Sequence, residues 1–112
     1  MNNFQDMMQQ AQALQQKMQD AQARLAASTV EGSAGGGLVR VTMSGAGELK
    51  AVTLDDSLLA PGEGEVVCDL LVAAHADAKR KLDQAQAQMM REVAGPLAGA
   101  LGGAGGLPGF NL

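Results

Sequence analysis

The sequence predicts an α+β fold in which a long N-terminal helix and a long C-terminal helix flank a small antiparallel sheet of two or three strands. Residues 4–27 and 65–93 repeat apolar side chains at the three- and four-residue spacing of helices. Residues 39–54 instead alternate apolar and polar side chains around a glycine-rich turn, which is typical of a hairpin. Two strands alone are marginally stable in water, so helices, a third strand or a second copy must cover this sheet.

The first helix is predicted from about Phe4 to Ala27. Its apolar positions follow a heptad seam: Met7, Ala11, Leu14, Met18, Ala21 and Leu25. Gln fills many of the other positions. Because the seam spans fewer than three full heptads, we expect it to pack on another helix of the same small assembly.

The hairpin follows a glycine triplet at residues 35–37. Its first strand places Val39, Val41 and Met43 on one face, and residues 44–47 supply the glycines that a tight reversal needs. Val52 and Leu54 provide the matching apolar positions of the second strand. Residues 30–34 are a candidate third strand.

The second helix is predicted from Glu65 to about Val93, where Gly95 and Pro96 would stop it. Its apolar stripe comprises Val67, Leu71, Ala74, Ala78, Leu82, Ala85 and Met89. The pattern therefore predicts one folded domain over residues 1–94, followed by a flexible Gly/Ala-rich tail over residues 95–112.

The composition favours self-association. Ala supplies much of the apolar content and aromatic residues are only 2% of the 112 residues, so a core formed by one copy would be thin. A helix of 28 residues reaches roughly 40 Å, whereas a six-residue strand spans about 20 Å. We therefore expect self-association, and in a symmetric homodimer the helices would project beyond the sheet as a pair of arms. The core positions proposed for this assembly are Val39, Val41, Met43, Val52, Leu54, Leu71 and Leu82.

The sequence favours a cytoplasmic location. It contains no apolar run long enough to span a bilayer, its N-terminus lacks the features of a signal peptide, and Cys68 is its one cysteine. The formal net charge of −4 arises entirely between residues 48 and 65, where five carboxylates face one lysine. The flanking helices are electrically neutral, so the acidic composition argues only weakly against nucleic acid as a ligand.

The candidates for contact with phosphate are the cations of the two helices: Lys17, Arg24, Lys79, Arg80, Lys81 and Arg91. The alternative interpretation is a solvated helix face on which Asp77 and Asp83 pair locally with Lys79, Arg80 and Lys81. His75 and Cys68 stand without the partners that a catalytic or metal site needs, so the sequence predicts neither an enzyme nor a cofactor or metal.

Several segments together resemble one known family. They are the glycine-led strand of residues 36–42, the turn Leu54-Asp55 followed by Ser57-Leu58-Leu59, the Met/Gln-rich first helix, and the ending Leu107-Pro108-Gly109-Phe110. Their order and spacing are similar to those of the YbaB/EbfC nucleoid-associated proteins, over nearly the whole chain. The chain departs from the pattern at Asp56, where proline is usual, and in the length of its Gly/Ala tail.

The resemblance implies an intertwined, tweezer-like homodimer whose protruding helices engage double-stranded DNA in the nucleoid without catalysis. It implies a role in shaping the nucleoid and in gene regulation. The alternative is a protein-interaction module, in which the heptad faces and the acidic region recruit recombination or replication factors. In that case DNA affinity would be incidental.

Overall fold

The computed structural model describes the backbone of residues 2–102 and the side chains of residues 3–95. Within that range the chain is α+β, as the sequence predicts, with a three-stranded antiparallel sheet between two long helices. The elements are α1 (Asn2–Ala27), β1 (Thr29–Ala34), β2 (Val39–Ser44), β3 (Leu49–Leu54) and α2 (Gly64–Gly102), with short 3-10 turns at Gly35–Gly37 and Asp56–Leu59.

The sheet has the strand order β1-β2-β3, and the candidate third strand at residues 30–34 is confirmed as β1. Val41 pairs with Gly32 on one side and with Val52 on the other. A bulge lies between Thr42 and Met43, next to the reversal into β3. The Oγ of buried Ser44 organises this reversal, since it accepts hydrogen bonds from the amides of Ala46 at 3.2 Å and Glu48 at 3.1 Å.

The core lies between the sheet and the first half of α2. Its buried members are Val39, Val41, Met43, Leu58, Ala74, Ala78 and Leu82. Gly32 of β1 permits this packing because a Cβ there would overlap the carbonyl oxygen of Ala74 and the amide nitrogen of Ala78. The strand and the helix backbone therefore meet directly, and side chains from β2 fill the space beside that contact.

Four of the seven predicted core positions are buried, namely Val39, Val41, Met43 and Leu82. Leu54 and Leu71 are half-buried and pack against this core. Val52 is 42% exposed in the single chain, and its place in the packing of a dimer stays a prediction. The physical reason for the exposure is that α2 crosses β1 and β2 and does not pack on β3.

The predicted end of the second helix is wrong, since α2 continues through Gly95 and Pro96 to Gly102. Proline inside a helix removes one backbone donor and disturbs the preceding turn, but the rest of the helical ladder can persist. The Ala and Leu residues around it favour helix. The predicted flexible tail of residues 95–112 therefore overlaps α2 over residues 95–102, and its remainder lies outside the described residues.

The helices extend far beyond the sheet. At 1.5 Å per residue the 39 residues of α2 span about 58 Å, compared with about 20 Å for a six-residue strand. The radius of gyration is 20.8 Å, whereas a compact chain of this length has about 13 Å. We call α1 together with residues 83–102 of α2 the helical arm. None of the described helices has the combination of length and apolar character needed to cross a membrane.

The two helices of the arm pack along only part of their length. Ala21 of α1 and Val93 of α2 are buried where the helices meet. Towards the start of α1 the predicted seam lies open, and Phe4, Met7 and Met8 are each at least half exposed. The seam is therefore paired in its second half, while its first half presents apolar side chains to solvent.

Candidate nucleic-acid interface

The run Lys79-Arg80-Lys81 does not form a single basic patch. Consecutive helical residues point about 100° apart, so three in a row spread around most of the helix. Lys79 turns to Asp83, with 2.6 Å between Nζ and Oδ1. Arg80 and Lys81 both pair with Asp77 instead. All three cations are exposed, and the local pairing that the alternative interpretation expects is present for each of them.

Asp77 stands at the crossing of α2 and β1. Its Oδ2 accepts a hydrogen bond from the backbone amide of Ser33 at 3.0 Å and lies 3.3 Å from Lys81 Nζ. Lys81 Nζ also donates to the backbone carbonyl of Glu31 at 2.8 Å. The backbone groups of Glu31 and Ser33 face away from β2, because alternate residues of an edge strand point outward. Two side chains of α2 therefore cover this edge of the sheet.

The hydrogen bond from the Ser33 amide lowers the pKa of Asp77, and the charges of Lys81 and Arg80 lower it further against a desolvation effect that raises it. The carboxylate is consequently ionised at neutral pH. It is also confined, since the Asp77 side chain is 17% exposed whereas that of Arg80 is 66% exposed. A fixed anion thus faces two cations that are free to move into solvent.

A second group of cations lies along the groove between the two helices of the arm. Lys17 and Arg24 of α1 border this groove, together with Glu92 of α2. Gln88 also borders it and accepts a 3.4 Å hydrogen bond from Arg91. Ala21, Leu25, Ala85, Met89 and Val93 complete the lining. The groove therefore combines apolar side chains with cations at its border.

One cation of each group lies on the same face of α2. Arg80 and Arg91 are eleven residues apart, which is close to three complete turns, so they project from nearly the same face about 17 Å apart. Arg91 is joined through Gln88 to the groove that Lys17 and Arg24 border. We call these five exposed cations the basic stripe: Lys17, Arg24, Arg80, Lys81 and Arg91. Lys79, the sixth predicted candidate, points to another side of α2 with Asp83.

The stripe has the chemistry of a phosphate-binding surface. The separation of about 17 Å between Arg80 and Arg91 corresponds to about five base pairs of duplex at 3.4 Å per step. Arg and Lys on an exposed helix face can neutralise backbone phosphates without reading base edges. Asp77 and Glu92 lie within the same surface and reduce its positive charge.

Cys68 is exposed on α2, as is His75. Among the described residues, no three His, Cys, Asp or Glu side chains gather in positions that could hold a metal ion.

The sequence analysis missed two features of this surface. It gave Gly32 no role, although an isolated glycine within a strand pattern is a signal of close backbone approach. It identified Asp77 only as a local ion-pair partner, whereas the carboxylate also binds a strand 44 residues earlier in the chain. Sequence spacing within one helix contains no signal for that second contact.

Comparison with known proteins identifies the family to which this chain belongs. Residues 1–97 match the model of the YbaB/EbfC DNA-binding family. The chain belongs to this family. It is 63% identical to a nucleoid-associated protein of Caulobacter sp. (strain K31) and 60% identical to one of Caulobacter vibrioides (strain NA1000 / CB15N), in both cases over all of both chains. It is 62% identical to a nucleoid-associated protein of Phenylobacterium zucineum (strain HLK1), over 91% of this chain and 95% of that one.

A solved structure supports the YbaB-like fold. The chain is similar to an uncharacterized protein of Helicobacter pylori, HP0035, with a TM-score of 0.67 and 21% sequence identity. The similarity covers 80% of this chain and 94% of that one. At this identity the match concerns the fold alone.

The family turn forms here despite the departure at Asp56. Asp55 Oδ2 accepts hydrogen bonds from the Ser57 amide at 3.0 Å and the Ser57 hydroxyl at 2.6 Å, and these bonds cap the short turn Asp56–Leu59. Leu58 is thereby buried in the core. A proline at position 56 is therefore not needed to shape this turn. The family-like ending, residues 107–110, lies outside the described residues.

Proposed function

We propose that this protein binds double-stranded DNA as a homodimer, mainly by contact of the basic stripe with backbone phosphates. In the cell it would act in the cytoplasm on the nucleoid, where it would alter DNA conformation and contribute to nucleoid organisation and gene regulation. The observation that carries the proposal is the family match over residues 1–97. The names of the relatives, nucleoid-associated proteins, support the same role.

The electrostatic mode of binding is supported by the exposure and alignment of the stripe. A homodimer would present ten stripe cations, enough for a phosphate footprint despite the charge of −4 on each chain. The carboxylates responsible for the excess negative charge lie in residues 48–65, which precede the second half of α2. Each neutralised phosphate releases counterions, so log K should fall against log salt with a slope of about −0.9 per contact.

Binding of a fluorescent 30-base-pair duplex at 50 and 200 mM salt tests this mode. The variant Arg80→Glu/Arg91→Glu should weaken binding strongly and reduce the slope by about 3.6 in a dimer, since four contacts are lost. The matched control is Arg40→Glu/Lys50→Glu, which makes the same charge change on exposed residues of the sheet. Equal effects of the two pairs, or no binding by the parent protein at micromolar concentration, would contradict the proposal.

The homodimer is supported by the uncovered part of the sheet. Leu49 and Val52 pair with Met43 and Val41, so they continue the apolar inner face of the sheet beyond the reach of α2. They are 51% and 42% exposed, respectively. Since side chains of α2 occupy the outer edge of β1, the edge of β3 is the open one. A second copy placed there would extend the core over Leu49 and Val52.

Sedimentation at about 10 µM tests this interface. The parent protein should sediment as a dimer, and Val52→Asp should produce a monomer because it places a charge in the apolar contact. Thr53→Asp is the matched control, since the neighbouring residue points to the opposite face of the same strand. A parent protein that sediments as a folded monomer would refute the dimer, irrespective of the DNA result.

A further inference from the structure

We propose that Asp77 is an electrostatic restraint on the basic stripe. Its carboxylate competes with DNA phosphate for Arg80 and Lys81, and binding of the duplex transfers these two cations from Asp77 to phosphate. This inference rests on the DNA binding proposed above and identifies the residue that regulates the strength of that binding.

The carboxylate is held in place by the fold. The Ser33 amide donates to Oδ2 at 3.0 Å, from a strand whose contact with α2 is made possible by Gly32. The Asp77 side chain has little access to solvent, being 17% exposed. It therefore remains beside β1 whether or not its cations are engaged elsewhere.

The two cations, in contrast, can exchange partners. The Lys81 ammonium has three donor hydrogens, two of which serve the Glu31 carbonyl and Asp77. The Arg80 guanidinium has five, and its contact with Asp77 involves Nη2 alone. Both side chains are exposed, so a phosphate arriving from solvent can reach the donors that Asp77 leaves free and then displace it.

Asp77 keeps its negative charge during this exchange and therefore opposes it. Its low pKa means that it does not become neutral when a phosphate approaches at neutral pH, so the two anions compete for the same donors. The pair Lys79–Asp83 differs, because Asp83 is 56% exposed and can rotate away into solvent. A carboxylate that is held in place by a hydrogen bond to the sheet restrains its cations more effectively than one that can rotate freely.

Asp77→Asn removes the negative charge but keeps the hydrogen bond to β1, since asparagine retains an oxygen that accepts the Ser33 amide. An exposed ion pair is worth up to a factor of about five in an equilibrium constant. We therefore expect Asp77→Asn to bind the 30-base-pair duplex up to about fivefold more tightly per protomer at 50 mM salt, with a steeper salt slope. Asp69→Asn makes the same charge change on an exposed residue of α2 and should alter affinity less than twofold.

Three results would overturn the inference. They are equal affinities of the Asp77→Asn and Asp69→Asn variants, weaker binding by Asp77→Asn, and the same gain from Asp77→Asn when Arg80 and Lys81 are both replaced by glutamine. Failure of the parent protein to bind the duplex would instead refute the proposed function, and this inference with it. Binding of the duplex by the parent protein thus distinguishes a failure of this inference from a failure of the proposed function.

A measurement on the unmodified protein avoids dependence on how the variant folds. In nitrogen-15 NMR spectra, the Arg80 side-chain resonance should shift when duplex is added, while the Ser33 amide resonance stays in place. This pattern indicates that Arg80 moves from Asp77 to phosphate while the hydrogen bond between Ser33 and Asp77 stays intact. An unmoved Arg80 resonance in the presence of saturating duplex would contradict the proposal.

Discussion

Among the described residues, the first half of α2 lies on the sheet, whereas its second half packs mainly against α1. The first half buries Ala74, Ala78 and Leu82 almost completely against β1 and β2. The second half offers half-buried Ala85 and Met89 to α1 and leaves Arg91 in solvent. The same helix therefore stabilises the fold at one end and supplies accessible surface at the other.

The difference arises from what each half packs against. A sheet presents a broad surface, and small side chains at its crossing with α2 let the backbones approach closely. A single antiparallel helix covers only a narrow stripe and leaves the adjacent faces open. We therefore expect substitutions of the buried residues at the sheet end to change stability, and substitutions of the exposed stripe cations to change binding.

Gly32→Ala should have the largest effect on stability. The added Cβ would overlap backbone atoms of Ala74 and Ala78, which cannot yield as a flexible side chain can. We expect a loss of more than about 4 kcal/mol in the free energy of unfolding, or no folded protein. Gly64→Ala is the control, because a Cβ there meets nothing within 4 Å, and it should stay within about 0.5 kcal/mol. Circular dichroism during urea titration measures both, and a folded, stable Gly32→Ala variant would disprove the direct contact.

Leu82→Ala should have the next largest effect, at about 2–5 kcal/mol, because it leaves a cavity in the core. Met7→Ala truncates an apolar side chain on the arm that is 66% exposed, and should change stability by less than about 0.5 kcal/mol. The same urea titration compares them. Similar losses for the two variants would mean that the start of α1 is buried in the assembly, and would break the distinction between the two ends.

Ser44→Ala tests the reversal that joins β2 to β3. Its Oγ accepts from two backbone amides while the side chain is buried, so its loss should cost about 1–2 kcal/mol. Ser33→Ala is a suitable control because the backbone bond from its amide to Asp77 remains, and the side chain is exposed. Thermal unfolding of the two variants should differ clearly. If Ser33→Ala is the more damaging change, the hydroxyl of Ser44 does not organise the turn.

The sequence predicts the structural features that depend on repeating patterns within a single segment. Helical spacing and strand alternation identify both helices, the hairpin and the buried faces of Val39 and Leu82. Helical geometry alone could also have shown that Lys79, Arg80 and Lys81 point in different directions, because the angle between consecutive residues is fixed. A resemblance in the order of short segments was sufficient to predict the family.

Structural features that depend on where distant segments of the chain cross could not be predicted in this way. The exposure of Val52 follows from where α2 crosses the sheet, which alternation within β3 does not determine. The second contact of Asp77 depends on a strand far away in the chain. The end of α2 differs from the prediction for another reason, because the helix-forming residues on both sides of Pro96 outweigh the cost of one proline.

The smallest expected effect is the dependence of stability on acid pH. Hydrogen bonds from the Ser57 hydroxyl and amide lower the pKa of Asp55, and the Ser33 amide is the main cause of the lowered pKa of Asp77. A carboxyl group whose pKa is lower in the folded than in the unfolded state stabilises the fold above the unfolded value of about 3.9. That contribution is lost as the pH falls through the folded value.

Thermal unfolding between pH 7 and pH 3 measures this loss. We expect an almost constant unfolding temperature down to about pH 4, and then a decline to which both groups contribute. Asp77→Asn should reduce the decline by removing the contribution at the sheet end, and Asp55→Asn should remove the contribution of the turn. A decline in the Asp77→Asn variant as steep as in the parent protein would show that the bond to Ser33 does not couple protonation to folding, and that the crossing of α2 and β1 depends on Gly32 and the apolar contacts alone.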